Sequence, residues 1–106
     1  MPITKTPPPP YYAVIFTSQR TEGDKGYREV ADKMVSLAEK QAGFLGAESV
    51  REANGLGITV SYWDSLESIK VFKELAAHRE AQKNARDIWY STFGLRVCKV
   101  EKEIIM

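Results

Sequence analysis

The stretch from Ser61 to Phe93 constrains the fold of this chain more than any other part of the sequence. It reads, in order, as the end of an apolar strand, a helix, a second helical stretch and the start of an aromatic strand, with no long loop between them. Both tryptophans and the single histidine of the chain lie inside this stretch. We therefore expect any chemistry that the chain performs to take place here.

The residues before this stretch predict a strand and a helix. Aromatic and β-branched residues occupy both faces of the run from Tyr11 to Ser18, which is typical of a central strand. Apolar residues then recur at three- and four-residue steps from Tyr27 to Gln41, which indicates an amphipathic helix. Asp24 is its predicted N-cap.

A β-hairpin is predicted next, with strands from Phe44 to Glu52 and from Leu56 to Trp63. The Asn54-Gly55 pair between them suits the positive φ of a tight turn, and Gly46 is a candidate bulge. Side chains alternate along a strand, so the second strand has two distinct faces. One face carries Gly57, Thr59, Ser61 and Trp63, and the other carries Leu56, Ile58, Val60 and Tyr62.

The second half of the chain repeats the alternation of helix and strand. A helix is predicted after an Asp64 or Ser65 cap, and a second helical stretch from His78 to about Trp89. A long strand follows from Tyr90 to Ile105. Cys98 lies within this strand and is expected to be a small buried residue. The order strand, helix, strand, strand, helix, strand is that of an α+β ferredoxin-like domain, a split βαβ unit with an antiparallel sheet.

Length and composition narrow the class of protein. The 106 residues suffice for one domain, which we place at residues 11–106 behind a proline-rich, extended N-terminal tail at residues 1–10 that acts as a spacer. The charges are scattered and sum to +1, so they form no electrostatic footprint for nucleic acid or an anionic membrane, and we expect neither as a partner. One cysteine and the lack of an apolar run of about 20 residues predict a cytoplasmic protein with no membrane span.

The sequence also predicts a homodimer without a metal or dinucleotide cofactor. Helices on one face of the sheet leave the other face bare, and a second copy of the chain is a simple cover for it. One histidine and one cysteine far apart do not form a ligand set for zinc or iron. The glycines near residue 55 lack the spacing of a dinucleotide fingerprint.

Three runs in the sequence resemble the antibiotic biosynthesis monooxygenase (ABM) family of the dimeric α/β-barrel superfamily. They are Ser61-Tyr62-Trp63-Asp64-Ser65-Leu66-Glu67, His78-Arg79-Glu80-Ala81-Gln82 and the run from Trp89 to Val97. The resemblance extends roughly from Tyr11 to Glu103. It implies a ferredoxin-like protomer that pairs through its sheet into a dimeric α/β barrel, with a pocket between the sheet and the helices.

The resemblance implies two alternative functions. The first is a cofactor-independent monooxygenase that acts on a phenolic or quinol-like substrate. The second is a non-catalytic protein of the same fold that binds a small aromatic or apolar ligand or serves a stress response. The family's cofactor-free polyketide oxygenases have an asparagine at the position of Thr59. The asparagine and histidine of its haem-degrading members have no match here, so we expect no stable haem complex.

The resemblance and the residue types together give a candidate site. The expected catalytic residues are Trp63, which matches the family's strand-end tryptophan, His78, whose side chain suits acid–base work near neutral pH, and Arg79, which can hold an anionic oxygen. The last two are expected at a helix start, where free N–H groups favour an anion. Structural alternatives are a core role for Trp63, a cap for His78 and a carboxylate pair for Arg79. Candidates for substrate binding are Thr59, Ser61, Tyr62, Phe72, Trp89 and Tyr90.

Overall fold

One antiparallel sheet organises the described part of the chain, which comprises residues 3–83 and 89–106 of a computed structural model, with only the backbone described for residues 78–83. The elements are β1 (Tyr11–Arg20), α1 (Tyr27–Glu39), β2 (Phe44–Arg51), β3 (Leu56–Trp63), α2 (Leu66–Lys83) and β4 (Tyr90–Val100). The four strands lie in the order β2-β3-β1-β4, and every neighbouring pair is antiparallel. The predicted α+β ferredoxin-like fold is confirmed.

The strand register defines two faces of the sheet. Trp63 of β3 pairs with Tyr12 of β1 and with Phe44 of β2, and all three side chains pack towards the helices. We call this the helix-facing side. The alternate residues point away from the helices onto what we call the open face, where Val50 is 65% exposed and Ile58 is 47% exposed. The two faces of β3 are those that the alternation predicts.

Two apolar clusters lie between the sheet and the helices. The first contains Ala38, Trp63 and Ile69, with Tyr12, Val14, Phe44 and Phe72 packed against them. The second contains Val30 and Trp89, with Tyr27, Met34 and Tyr90 around them. Val30 and Ala38 are both in α1, a little over two turns apart, so this helix ties the two clusters together.

The start of α1 differs in detail from the sequence prediction. The N-cap position is Gly26, which has φ of 84°, and not Asp24. Asp24 nevertheless accepts hydrogen bonds through its two carboxylate oxygens, from the N–H of Gly26 at 3.1 Å and from the N–H of Arg28 at 3.2 Å. The carboxylate therefore satisfies donors of the first turn from a position just outside the helix.

The predicted break between two helical stretches does not occur in the described residues. α2 runs without interruption from Leu66 to Lys83, so His78 and Arg79 lie inside a helix and not at the start of one. Neither glycine nor proline is present between Ala76 and Lys83 to interrupt the helix. Backbone N–H groups inside a helix bond to carbonyls four residues earlier, so the predicted anion site at a helix start is wrong. Neither α1 nor α2 is long and apolar enough to span a membrane.

β4 is an edge strand and ends earlier than predicted, at Val100. Cys98 of this strand is exposed, which contradicts the prediction that it is buried. It pairs with Ala13 of β1 and so lies on the open face, where no helix covers it.

The proline-rich segment lies against the domain and is not a free spacer. The N–H of Thr4 donates to Glu48 at 2.9 Å, and the Thr4 hydroxyl donates to the carbonyl of Ala47 at 3.1 Å. Further along, the Thr6 hydroxyl donates to Glu103 at 2.9 Å. We call residues 3–10 the N-terminal strap, because these bonds fasten the segment to the sheet and to the residues that follow β4.

Gly46 makes room for this strap. It lies at a register shift between β2 and β3, as the predicted bulge requires, and has φ of 146°. A Cβ atom on residue 46 would lie 2.3 Å from a methyl carbon of Thr4. Glycine is therefore required both by the backbone conformation and by the close approach of the strap.

Candidate functional site

Three hydroxyl groups lie next to one another on the helix-facing side of β2 and β3. Ser49 is directly opposite Thr59 in the register, and their side-chain oxygens are 2.8 Å apart. Ser61 lies two residues further along β3 and accepts a hydrogen bond from Nε1 of Trp63 at 2.9 Å. We call Ser49, Thr59 and Ser61 the hydroxyl row.

The hydroxyl row has hydrogen-bonding capacity beyond these two contacts. A hydroxyl carries one proton and two lone pairs, so one of the two protons in the Ser49–Thr59 pair is not used by that pair. The proton of Ser61 is likewise not used when its oxygen accepts from Trp63. Thr59 and Ser61 are half-buried and Ser49 is exposed. The row can therefore donate at least two hydrogen bonds to the oxygens of a bound molecule.

Trp63 closes one end of this row. Its ring packs against Phe44, with ring centroids 5.4 Å apart and a near-perpendicular arrangement, and against Phe72 at 5.1 Å. Only 1% of Trp63 is exposed, so the structure gives it a core role and leaves only a small part of its surface for direct contact with a ligand. Its indole N–H also holds the Ser61 hydroxyl in position.

A second aromatic group lies beside the row, on the side of β1 and β4. Phe16 lies opposite Thr59 in the register, and its ring packs edge-on against Tyr90 with centroids 5.3 Å apart. Trp89 is 6% exposed and packs edge-on against Tyr27 at 5.6 Å. Trp89 is therefore part of the core. Tyr90 is half-buried and contacts Phe16, which lies next to Thr59 of the hydroxyl row.

Tyr62 is not part of this group, because it projects onto the open face. Its hydroxyl donates to Glu48 at 2.7 Å. Burial, followed by this bond to a carboxylate, raises the pKa of Tyr62 to about 12. The N–H of Thr4 and then the hydroxyl of Tyr62 lower the pKa of Glu48. Tyr62 thus helps to fasten the N-terminal strap on the side of the sheet away from Trp63.

The predicted site residues fall into three groups. Thr59, Ser61, Trp63 and Phe72 come together on the helix-facing side, Trp89 and Tyr90 belong to the second cluster, and Tyr62 lies on the opposite face. The side chains of His78 and Arg79 lie outside the described residues. In the part of the chain that the structure describes, no three His, Cys, Asp or Glu side chains group as metal ligands do.

The sequence analysis missed Ser49. The signal that could have found it is the hairpin turn, since Ser49 and Thr59 are each five residues from Asn54 and pair across the two strands. A hydroxyl on each strand at matched distances from a tight turn predicts a cross-strand pair on one face.

Comparison with known proteins identifies relatives of this chain. The family model described as antibiotic biosynthesis monooxygenase matches residues 10–84. A protein of Bacillus subtilis (strain 168) named uncharacterized protein YqjZ is 54% identical over 101 residues, which cover 95% of this chain and 89% of that protein.

Two solved structures share the fold at low sequence identity. SnoaB, a cofactor-independent oxygenase from Streptomyces nogalater, superposes with a TM-score of 0.69 at 11% identity, covering 91% of this chain and 98% of that chain. The protein PA3566 from Pseudomonas aeruginosa gives a TM-score of 0.67 at 11% identity, covering 97% of this chain and all of the other. The family match spans both helices and the first three strands. The chain therefore belongs to the antibiotic biosynthesis monooxygenase family.

Proposed function

We propose that this protein is a small monooxygenase that uses neither a metal nor a flavin and acts on a phenolic or quinol-like substrate. The observation that carries the proposal is the hydroxyl row of Ser49, Thr59 and Ser61, which lies on the helix-facing side of the sheet with Trp63 at one end and Phe16 beside Thr59. A flat aromatic substrate needs apolar contacts for its rings and a few hydrogen-bond donors for its oxygens, and this surface offers both. Family membership and the fold shared with SnoaB support the same reaction class.

In the proposed reaction the protein stabilises an anionic form of the substrate. The hydroxyls of Thr59 and Ser61 donate to the substrate oxygen on which negative charge develops when a neighbouring C–H proton is removed. The resulting carbanion is oxidised by dioxygen to a hydroperoxide, which loses water and leaves a carbonyl. Overall, one CH₂ group and one O₂ molecule give one C=O group and one water molecule. We keep His78 as the proposed base, because an imidazole can take up a proton near neutral pH, and Arg79 as a second anion-binding group, because its guanidinium can hold an anionic oxygen.

Dioxygen consumption across a panel of anthrones and hydroquinones tests the proposal. We expect consumption above the rate without protein for at least one substrate, and a fall in kcat/KM of about tenfold or more in Thr59→Val, because this change removes a donor at nearly constant volume. Thr17→Val is the matched control, since Thr17 lies on the opposite face of the sheet. Consumption at the background rate with every substrate, or equal losses in the two variants, would contradict the proposal.

A second candidate function has its own supporting observation. Trp63 is 1% exposed and hydrogen-bonded within the protein, which suits a structural residue better than one that must reach a substrate. The alternative is a non-catalytic protein that binds a small aromatic or apolar ligand or serves a stress response. Saturable binding of a hydroquinone or anthrone without dioxygen consumption would favour this alternative.

We also propose that the protein is a homodimer built face to face through its sheets into a dimeric α/β barrel. Val50, Ile58 and Leu56 on the open face are 65%, 47% and 45% exposed, and a second copy would remove this apolar surface from water. The single thiol, Cys98, supports a place in the reducing cytoplasm.

A further inference from the structure

One arginine extends the hydroxyl row at the end away from Trp63. Arg51 of β2 lies directly opposite Gly57 of β3, and Gly57 is two residues from Thr59 on the same face of the sheet. The guanidinium lies over Gly57, since a Cβ atom on residue 57 would be only 2.7 Å from Cζ of Arg51. Glycine therefore leaves the space in which this side chain crosses β3.

Three hydrogen bonds hold the Arg51 guanidinium in this position. Nη2 donates to the hydroxyl of Ser18 at 2.8 Å, and Nη1 donates to the carbonyl oxygens of Ser18 and Gly55. Ser18 belongs to β1, lies opposite Gly57 in the register and is 1% exposed. A guanidinium has five N–H groups, so these bonds use at most three of them. The group is therefore fixed in place and retains donors for a bound molecule.

The positive charge of Arg51 has no counter-ion in the part of the chain that the structure describes. Its three acceptors are neutral, and the one ion pair within 4 Å among the described residues joins Lys33 and Glu29 on α1. A guanidinium remains protonated throughout the working pH range. Arg51 is half-buried, so water screens its charge less than it screens an exposed one. A fixed cation of this kind favours an anionic oxygen beside it.

We propose that Arg51 is the residue by which the site selects a para-dihydroxy aromatic substrate, because it holds the second oxygen of that substrate as an anion while Thr59 and Ser61 hold the first. Side chains two residues apart on one face of a strand are about 6.7 Å apart, so a donor at Thr59 and a cation over Gly57 suit oxygens at opposite ends of one ring. A substrate with one oxygen leaves the charge of Arg51 without a partner. This inference rests on the proposed oxygenase function, since it names the substrate class of the same site.

Binding beside Arg51 favours ionisation of the second hydroxyl of the substrate. Its O–H bond breaks, the proton passes to water, and the electron pair stays on the oxygen beside the guanidinium. A nearby opposite charge lowers the pKa of a phenol because it stabilises the anion. The ring of the bound anion is richer in electrons, so it is a better reductant for the dioxygen that the proposed reaction consumes.

Binding of 4-nitrophenol tests this assignment without depending on turnover. Its nitro group takes the place of the first oxygen, and only its anion absorbs visible light, so absorbance reports the pKa of the bound phenol. In the full chain we expect this pKa to fall by about 1 unit or more on binding. Arg51→Gln should abolish the fall, and Arg51→Lys should keep part of it because the charge remains. Arg96→Gln is the matched control, since it removes an exposed charge from the open face and should leave the fall unchanged.

The neutral analogue 4-nitroanisole separates the charge of Arg51 from its contacts within the protein. We expect Arg51→Gln to weaken binding of the 4-nitrophenol anion by about tenfold and to change the binding of 4-nitroanisole little. If Arg51 only fastens the hairpin to β1, both ligands lose affinity by the same factor and the proposal fails. It is also overturned if 4-nitrophenol does not bind saturably or keeps its free pKa when bound. A lowered pKa in a protein that consumes no dioxygen would support the role of Arg51 and contradict only the oxygenase function.

Discussion

Trp63 is the largest fully buried side chain of the described residues, and the cluster around it draws side chains from β1, β2, α1 and α2. We predict that Trp63→Ala lowers the free energy of unfolding by about 3–5 kcal/mol, the usual cost of emptying a large buried aromatic site. Trp63→Phe keeps most of the packing but removes the donor to Ser61, so it should cost less. Urea unfolding of the two variants measures both effects. A loss below about 1 kcal/mol in the alanine variant would contradict a core role.

The hydrogen-bonded pair of Tyr62 and Glu48 on the open face should make the stability of the protein depend on pH. The pKa of Tyr62 is raised to about 12, so its contribution to stability is complete below pH 10 and is lost as the pH rises from there through about 12. Glu48 behaves in the opposite sense. Its pKa is lowered, so its contribution is present above its ordinary value of 4.5 and is lost as the pH falls through the lowered value.

Absorbance at 295 nm during alkaline titration measures this prediction. Tyr62 should ionise about 2 pH units late, and its contribution should disappear in Tyr62→Phe while the late ionisation of Tyr11 remains. Glu48→Gln should lower the pKa of Tyr62 while leaving it above 10, because burial, its largest cause, remains. Tyr11, whose pKa is raised mainly by burial and also by its bond to Glu103, is expected to titrate late in all variants. Five tyrosines that ionise together near pH 10 would contradict the structure.

Alternation along β3 was sufficient to predict that Thr59, Ser61 and Trp63 share a face and that Tyr62 does not. It was not sufficient for the strap, because the bonds of Thr4 and Thr6 to Glu48 and Glu103 join residues more than 40 positions apart, and no local pattern specifies them.

At the scale of whole elements, the N-terminal strap should contribute to stability. Deleting residues up to Pro9 removes the bonds of Thr4 and Thr6, and we predict a loss of about 1–3 kcal/mol in the free energy of unfolding. Gly46→Ala should also destabilise the protein, because its methyl group would meet Thr4 and because φ is 146°.

The two changes should not be additive. In the deleted chain the methyl group at residue 46 no longer meets Thr4, so only the backbone strain remains and Gly46→Ala should cost less than in the full chain. Urea midpoints are measured for the unsubstituted chain, the deleted chain, Gly46→Ala and the chain with both changes, which together form a double-mutant cycle. Equal costs of Gly46→Ala in both backgrounds would show that the strap does not lie where the structure has it.

The boundaries of helices and strands could be predicted from the sequence where a strong local signal marks them. Asn54-Gly55 fixed the hairpin, and Gly55 does have a positive φ of 95°. The false break before His78 had no such signal, since every residue around it is compatible with a helix and only the polar character of the sequence suggested a new segment. The end of β4 at Val100 had no glycine or proline to mark it.

For the molecule as a whole, we predict a mass of two chains in solution. Sedimentation equilibrium at micromolar concentration should give about twice the 12.0 kDa of one chain. Ile58→Glu places a charge on the open face and should shift the protein towards the monomer. Val35→Glu is the matched control, because Val35 is 57% exposed on α1 and Ile58 is 47% exposed on the sheet. A folded monomer in the unsubstituted protein would rule out the dimer.

The order of elements predicted the fold correctly because each helix and strand carries its own periodicity. The dimer and the substrate could not be predicted in this way, because they depend on surfaces that a single chain leaves exposed. The hydrophobic periodicity of the sequence indicates that such a surface is apolar, but not which molecule covers it.

Cys98 has a practical consequence for measuring that assembly. It is the one thiol in the sequence, it is exposed, and it projects from the open face on an edge strand. A maleimide or methanethiosulfonate probe can therefore be attached at a single site without any mutagenesis. If a second sheet covers the open face, it also covers this thiol, so the rate of attachment should fall as the protein dimerises and should be faster in Ile58→Glu.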